Sequence, residues 1–165
     1  MEVQPEFYNP YLDNVPPDDV ASSLELNLSE MSEVFSQMTE DKSKYRYAEG
    51  KWSLRELLGH MIDSERVFMY RAMCFSRGEK QALPGFDENG YASNSNADNR
   101  PIERLWIEFE TLRISTLQLF QSMDKSMLEA VGTMSGNRNS VNSIGRIIVG
   151  HCRHHLRVIK ERYSD

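Results

Sequence analysis

The chain has 165 residues, 39% of them hydrophobic and 27% charged, and a formal net charge of −6 with no basic block. That length suffices for one domain, residues 1–165, with a core that needs no disulfide staples. The acidic balance argues against nucleic acid as a partner, because phosphate contacts need clustered Lys and Arg.

No apolar run approaches the ~20 residues of a membrane span. The N-terminal stretch also lacks a charged-then-apolar leader pattern, so a cytoplasmic protein without membrane partners is expected. Residues 1–17, with Pro5, Pro10, Pro16 and Pro17, read as an irregular lead-in whose Phe7, Tyr8 and Tyr11 lie against the core. Asp18 or Asp19 caps a first helix to about Met38, striped by Leu24, Leu28, Met31, Val34, Phe35 and Met38. Residues 39–51 read as a connecting loop. Ser53 and Glu56 form a capping box that opens a second helix, to about Arg77. Residues 78–99 are rich in Gly, Pro, Asn and Asp and have no clear period. A loop so long inside a compact domain is either functional or misassigned. Asn99 as cap, with Pro101 in the first turn, starts a third helix to about Met123. A short helical turn from Asp124 and a polar loop through "GTMSGNRN" precede a fourth helix, capped by Ser140 and running to about Tyr163. No stretch alternates convincingly like a strand. Cys74 and Cys152 have no useful spacing and read as reduced, buried thiols. Four helices of about 20 residues make an all-α four-helix bundle.

The stretch "GHCRHHLRVIKERY" (150–163) holds three of the four histidines. With His151 at zero and ~100° per residue, Ile144, Ile147, Ile148, Val158 and Ile159 fall between about −40° and +80°. His155, at about +40°, lies on that apolar arc, whereas His154, at about −60°, lies at its edge and is expected not to be a ligand. Residues four apart on one face have Cβ atoms ~5–6 Å apart, which suits two imidazoles converging on one ion. His60, in "LLGHMIDSE", borders the inward stripe of the second helix. Glu56 and Asp63 lie beside it, and either carboxylate can accept an imidazole N–H. Glu56 also has its capping role, and Asp63 can equally belong to a solvated face. Periodicity alone leaves two readings open, buried core histidines or metal ligands.

"KWSLRELLGHMIDSERVF" (51–68), "LPGFDENGY", "ASNSNADNR" and the closing HxxHH-type helix resemble the DinB/YfiT-like superfamily of metal-dependent enzymes, from about Tyr45 to Tyr163. The resemblance implies an up-down-down-up four-helix bundle, often a homodimer. It also implies a divalent metal, zinc or nickel, held by His60, His151 and His155. Cys152 and Arg153 depart from many relatives, at positions that face away from the metal side of the wheel.

Three neutral imidazoles leave a coordination position open, as catalytic sites do. Three functions are then expected in order. The first is a transferase that activates a low-molecular-weight thiol as co-substrate toward an electrophilic small molecule. The second is a hydrolase in which water takes the thiol's place. The third is a non-catalytic interaction protein with a structural metal. Asp63 is the candidate for a carboxylate behind the ligands. Phe86, Asp87 and Tyr91 line a pocket or pin the 78–99 loop, which is expected over the open side of the metal. Arg71, Arg100 and Arg104 are the cations available to an acidic substrate.

Overall fold

A computed structural model describes residues 8–163 apart from Asn14, Pro17 and Asp18. The expectations for Phe7 and Asp18 lie outside the described residues. In chain order the helices are α1 (Asn9–Leu12), α2 (Val20–Phe35), α3 (Glu40–Ser43), α4 (Leu54–Ser76) and α5 (Glu88–Asn94). A 3₁₀ turn, Ala97–Asn99, leads to α6 (Ile102–Gln121), α7 (Lys125–Glu129), strands β1 (Val131–Met134) and β2 (Asn137–Ser140), and α8 (Val141–Arg162).

Four helices start at the side-chain caps that the sequence announces. Asp19 accepts the Ser22 N–H at 2.9 Å, Asp124 that of Met127 at 2.9 Å, and Ser140 that of Ser143 at 3.1 Å. Ser53 accepts the Glu56 N–H at 3.1 Å while the Glu56 carboxylate accepts the Ser53 N–H at 2.9 Å, closing the capping box. Each such cap contributes about 1 kcal/mol.

The start of α6 differs from expectation. Asn99 belongs to the 3₁₀ turn and Pro101 is the residue before the helix. The Ile102 N–H instead donates to Glu40 Oε1 at 2.9 Å, so the cap arrives from α3, a short helix inside the expected 39–51 loop. The 78–99 segment likewise contains α5, capped by Asp87 accepting the Gly90 N–H at 3.1 Å.

"GTMSGNRN" is a hairpin rather than a loop. Val131–Met134 pairs antiparallel with Asn137–Ser140 across Ser135 and Gly136, whose φ angles are +50° and +79°. Two positive φ values at the centre are what a two-residue hairpin requires. Leu83 joins its edge, donating its N–H to the Thr133 carbonyl at 2.9 Å and accepting from the Ser135 N–H at 3.0 Å.

The four long helices form an up-down-down-up bundle, and their side-chain register shows each direction. Glu65 meets Arg113 and Met69 meets Thr116, so α4 and α6 run parallel. Asn27 meets Arg113 and Phe35 stacks on Trp106, so α2 and α6 are antiparallel. Glu30 meets Arg153 while Val20 touches Gly145, so α2 and α8 are parallel. His60 faces His151 and Trp52 meets Tyr163, so α4 and α8 are antiparallel. The core divides into two apolar halves. One is built around Leu24, Phe68, Phe75, Phe120 and Ile144, the other around Met31, Leu58, Leu105, Phe109 and Ile159. A polar layer of Asn27, Glu65, Arg113 and Cys152 separates them, one residue from each long helix. Cys152 is buried as expected, but Cys74 is only half-buried. Among the described residues, no helix is long and apolar enough to cross a membrane.

Candidate metal centre

His60 sits in the second turn of α4, and His151 and His155 lie one turn apart on α8. All three are buried, and each offers a ring nitrogen within 4.8 Å of the others. His151 Nε2 lies 3.0 Å from both His60 Nε2 and His155 Nε2. An imidazole nitrogen has a single in-plane donor or acceptor position, so His151 Nε2 can make only one good hydrogen bond here. A cation between the rings would engage all three lone pairs. Zn–N bonds of ~2.0–2.1 Å in tetrahedral geometry put ligand nitrogens about 3.3 Å apart, close to the two 3.0 Å spacings around His151. The donor set therefore fits a divalent ion.

The electrostatics favour the ligating, neutral form. Burial pushes His60 down to about 4, with the charge of His154 adding to it. His155 is pushed down to about 3, again chiefly by burial, with His60 and His154 contributing. His151 lies well below its ordinary value for the same reasons. His155 Nδ1 is buried without a hydrogen-bond partner, so among the described residues no carboxylate or carbonyl orients that ring from behind.

Two glycines let other segments close on the site. A Cβ on Gly150 would lie 1.9 Å from the Tyr11 carbonyl oxygen, so α1 can reach α8 only at a glycine. A Cβ on Gly59, next to His60, would lie 3.0 Å from the Ala97 Cβ, and it is there that the 3₁₀ turn packs on α4. Gly150→Ala is therefore expected to lift α1 from α8 and cost about 1–3 kcal/mol, as overpacking does. Urea unfolding with unchanged helical circular dichroism would measure it.

Tyr11 stands edge-on to both His151 and His154, with ring centroids 5.6 Å from each. His154 is half-buried at the rim and lies outside the converging set. Trp52 lies against His60 at 4.8 Å between centroids, its carbonyl accepting the Tyr163 hydroxyl at 2.8 Å. Sequence reading missed both roles. Tyr11 sits in a proline-rich segment without periodicity, and Trp52 precedes the helix that it serves.

Asp63 is not behind His60. It lies 3.5 Å from Arg66 and lines a hollow of about 620 Å³ between α4 and α5, with Val67, Asp87 and Tyr91. Burial raises its carboxyl above the usual range, against the pull of Arg66. Glu56 is occupied by the capping box and by Arg46 at 2.6 Å. Asp87 and Tyr91 do line a pocket, but its walls contain no member of the histidine cluster. Phe86 instead packs on Tyr91, with centroids 5.1 Å apart. Glu88 of the same loop acts on Tyr11. It is half-buried, burial raises its carboxyl, and its charge, second to burial, raises the Tyr11 hydroxyl. Arg100 pairs with Glu108, and Arg104 is exposed.

Fold and site together define a helical-bundle protein with three buried histidines able to bind metal. The DinB superfamily model matches residues 23–159, and the chain belongs to that superfamily. It is 22% identical over 144 residues to a protein of Oceanobacillus iheyensis named "Putative metal-dependent hydrolase", covering 86% of this chain and 82% of that one. It also shares its fold with YfiT from Bacillus subtilis, described as a probable metal-dependent hydrolase with an unusual four-helix bundle topology. That match has a TM-score of 0.78 at 16% identity and covers 97% of this chain and 91% of the other.

Proposed function

We propose that this chain is a metal-dependent hydrolase of a small molecule, its divalent ion held by His60, His151 and His155. The observation that carries the reading is the convergence of three buried, neutral imidazoles whose nitrogens lie within 4.8 Å of one another, with His151 Nε2 3.0 Å from each of the other two. Three protein ligands leave positions for water and substrate, the pattern of catalytic rather than structural sites. A divalent ion bound there supplies Lewis acidity and lowers the pKa of a coordinated nucleophile. The protein's part is to hold the rings. Trp52 fixes the His60 side and Tyr11 the His151 side, and burial keeps protons off the ligating nitrogens. The names of the relatives support hydrolysis as the reaction.

Transfer of a low-molecular-weight thiol to an electrophilic substrate would use the same ligands and the same open positions. A panel of esters, amides and electrophiles, run on zinc- and nickel-loaded protein with and without thiols, separates the two. Turnover without thiol supports hydrolysis, strictly thiol-dependent turnover replaces it with transfer, and no turnover in either lane leaves a structural metal.

His154→Gln is expected to keep one metal per chain, whereas His155→Gln loses it. Elemental analysis after chelation and reloading checks this. The reverse pattern would mean that α8 presents another face.

A further inference from the structure

Among the described residues two arginines, Arg71 and Arg113, are wholly buried, and a carboxylate there meets the charge of Arg113 alone. Arg113 is held by the Glu65 carboxylate through two contacts of 2.9 Å. Arg71 has no carboxylate partner among the described residues. Its guanidinium donates to the Pro84 carbonyl at 2.6 Å, the Ser135 hydroxyl at 3.2 Å and the Met134 sulfur at 3.8 Å. The rings of Phe68 and Phe86 flank it at 5.6 and 6.0 Å. Every one of these groups is neutral. Tyr8 is a further hydrogen-bond partner.

A buried charge without a counter-ion carries a desolvation cost that an arriving ionic partner would offset. The position of Arg71 says which partner. Eleven residues separate it from His60, which on a helix is three turns, about 20° of rotation and ~16 Å of rise. Helical side chains lean toward the N-terminus, and the guanidinium lies over Phe68, three residues earlier, on the way back toward His60. Ser64 stands on the same line, one turn beyond His60, and its buried hydroxyl has no hydrogen-bond partner. One stripe of α4 thus carries a candidate metal ligand and, among the described residues, a hydroxyl without a hydrogen-bond partner and a cation without a carboxylate. Tyr8, just before α1, and Tyr11 within it run along the stripe, Tyr8 against Phe68 and Tyr11 against His151.

We propose that Arg71 is the oxyanion subsite of this centre, receiving a carboxylate or phosphate group of the substrate while the reacting group lies at the histidines. The planar guanidinium suits such a group, which it binds in bidentate fashion. The covering residues Pro84, Gly85 and Phe86 belong to no helix or strand, so the subsite opens by moving that short segment. The choice of substrate class rests on the metal reading, but oxyanion binding at Arg71 does not.

The test is thermal unfolding of the full chain, metal-loaded and after chelation, in sodium phosphate, sodium acetate or sodium chloride at matched ionic strength. Phosphate or acetate is expected to raise the parent's midpoint by a few degrees over chloride, as mass action gives for a ligand above its Kd. The anion that acts tells a phosphate subsite from a carboxylate one. Arg71→Met is expected to melt no lower than the parent in chloride, since it removes an unpaired charge, and to show no response to either anion. A residue that merely pins the 83–86 segment would give the opposite, a lower midpoint with the anion response kept. His60→Ala should lose metal yet keep the anion response. If it keeps both, the metal assignment fails and the subsite stands. Should Arg71→Met not fold, Arg71→Lys carries the test, and an unchanged anion affinity there overturns the proposal. So does a parent that responds equally to all three salts.

Discussion

Replacing Glu65 with alanine is expected to cost about 3–5 kcal/mol, the usual penalty for leaving a buried charge without its partner. Arg113 is fully buried, and Glu65 is its only carboxylate partner among the described residues. Its other acceptors are the Leu24 carbonyl at 3.2 Å, Asn27 Oδ1 at 2.8 Å and Cys152 Sγ at 3.3 Å. These are dipoles and a thiol, and the thiol is itself pushed up to about 12, so it cannot replace the carboxylate near neutral pH. The double change Glu65→Met with Arg113→Met should recover most of the loss, because an apolar pair of similar volume avoids desolvating either ion. Urea unfolding of the two variants measures both effects. A loss below 1 kcal/mol in Glu65→Ala would show that the layer is not a stability determinant. The pair also bears on the site. Cys152 follows His151 and is tied to Arg113, so the layer fixes the rotation of α8 and with it the direction of His151 and His155.

Much of this layout was legible in the sequence, and what was not has a common physical cause. Asp19, Ser53, Asp124 and Ser140 announce their helices because each cap bonds a backbone three residues on. The start of α6 was misread because its acceptor, Glu40, is 62 residues away in sequence. The hairpin was missed because four-residue strands give too little alternation to detect. Its turn signal, Ser135–Gly136, lies in a polar run that reads equally well as loop. α5 contains Asn, Gly and Ser and owes its helicity to packing on α4. At the site, angular position put His151 and His155 on an inward face and His60 at the border of its stripe, since helix periodicity is local and rigid, and the family resemblance joined the three as one ligand set. Asp63 failed as a partner because closeness on a helix surface does not say which way a short side chain is drawn, and Arg66 draws it outward. Tyr11 and Trp52 were illegible as site residues because tertiary contacts bring them there.

The metal-free protein is expected to lose stability steeply as the pH falls from about 6.5 toward 4, and zinc is expected to oppose that loss. In the folded chain His60 sits at about 4 and His155 at about 3, below the 6.5 of a free imidazole. The unfolded chain therefore takes up protons first. The contribution of these neutral histidines is complete above the unfolded value, and it is lost as the pH falls through 6.5 toward the folded values. At ~1.4 kcal/mol per unit, each histidine accounts for a change on the order of 3 kcal/mol or more, large against the 5–15 kcal/mol that typically holds a domain together. His155→Phe keeps a ring in the cavity and removes one titrating group, so without metal it should be more stable than the parent at pH 5. With zinc at pH 7 the order should reverse. The ion binds only the folded parent and stabilises it by mass action, whereas the variant has lost a ligand and gains little. Urea unfolding at pH 7, 6 and 5, with and without zinc, reads the whole pattern. A parent whose metal-free stability is flat over that range would mean that the three imidazoles are not buried neutral groups. A variant that gains as much from zinc as the parent would remove His155 from the ligand set.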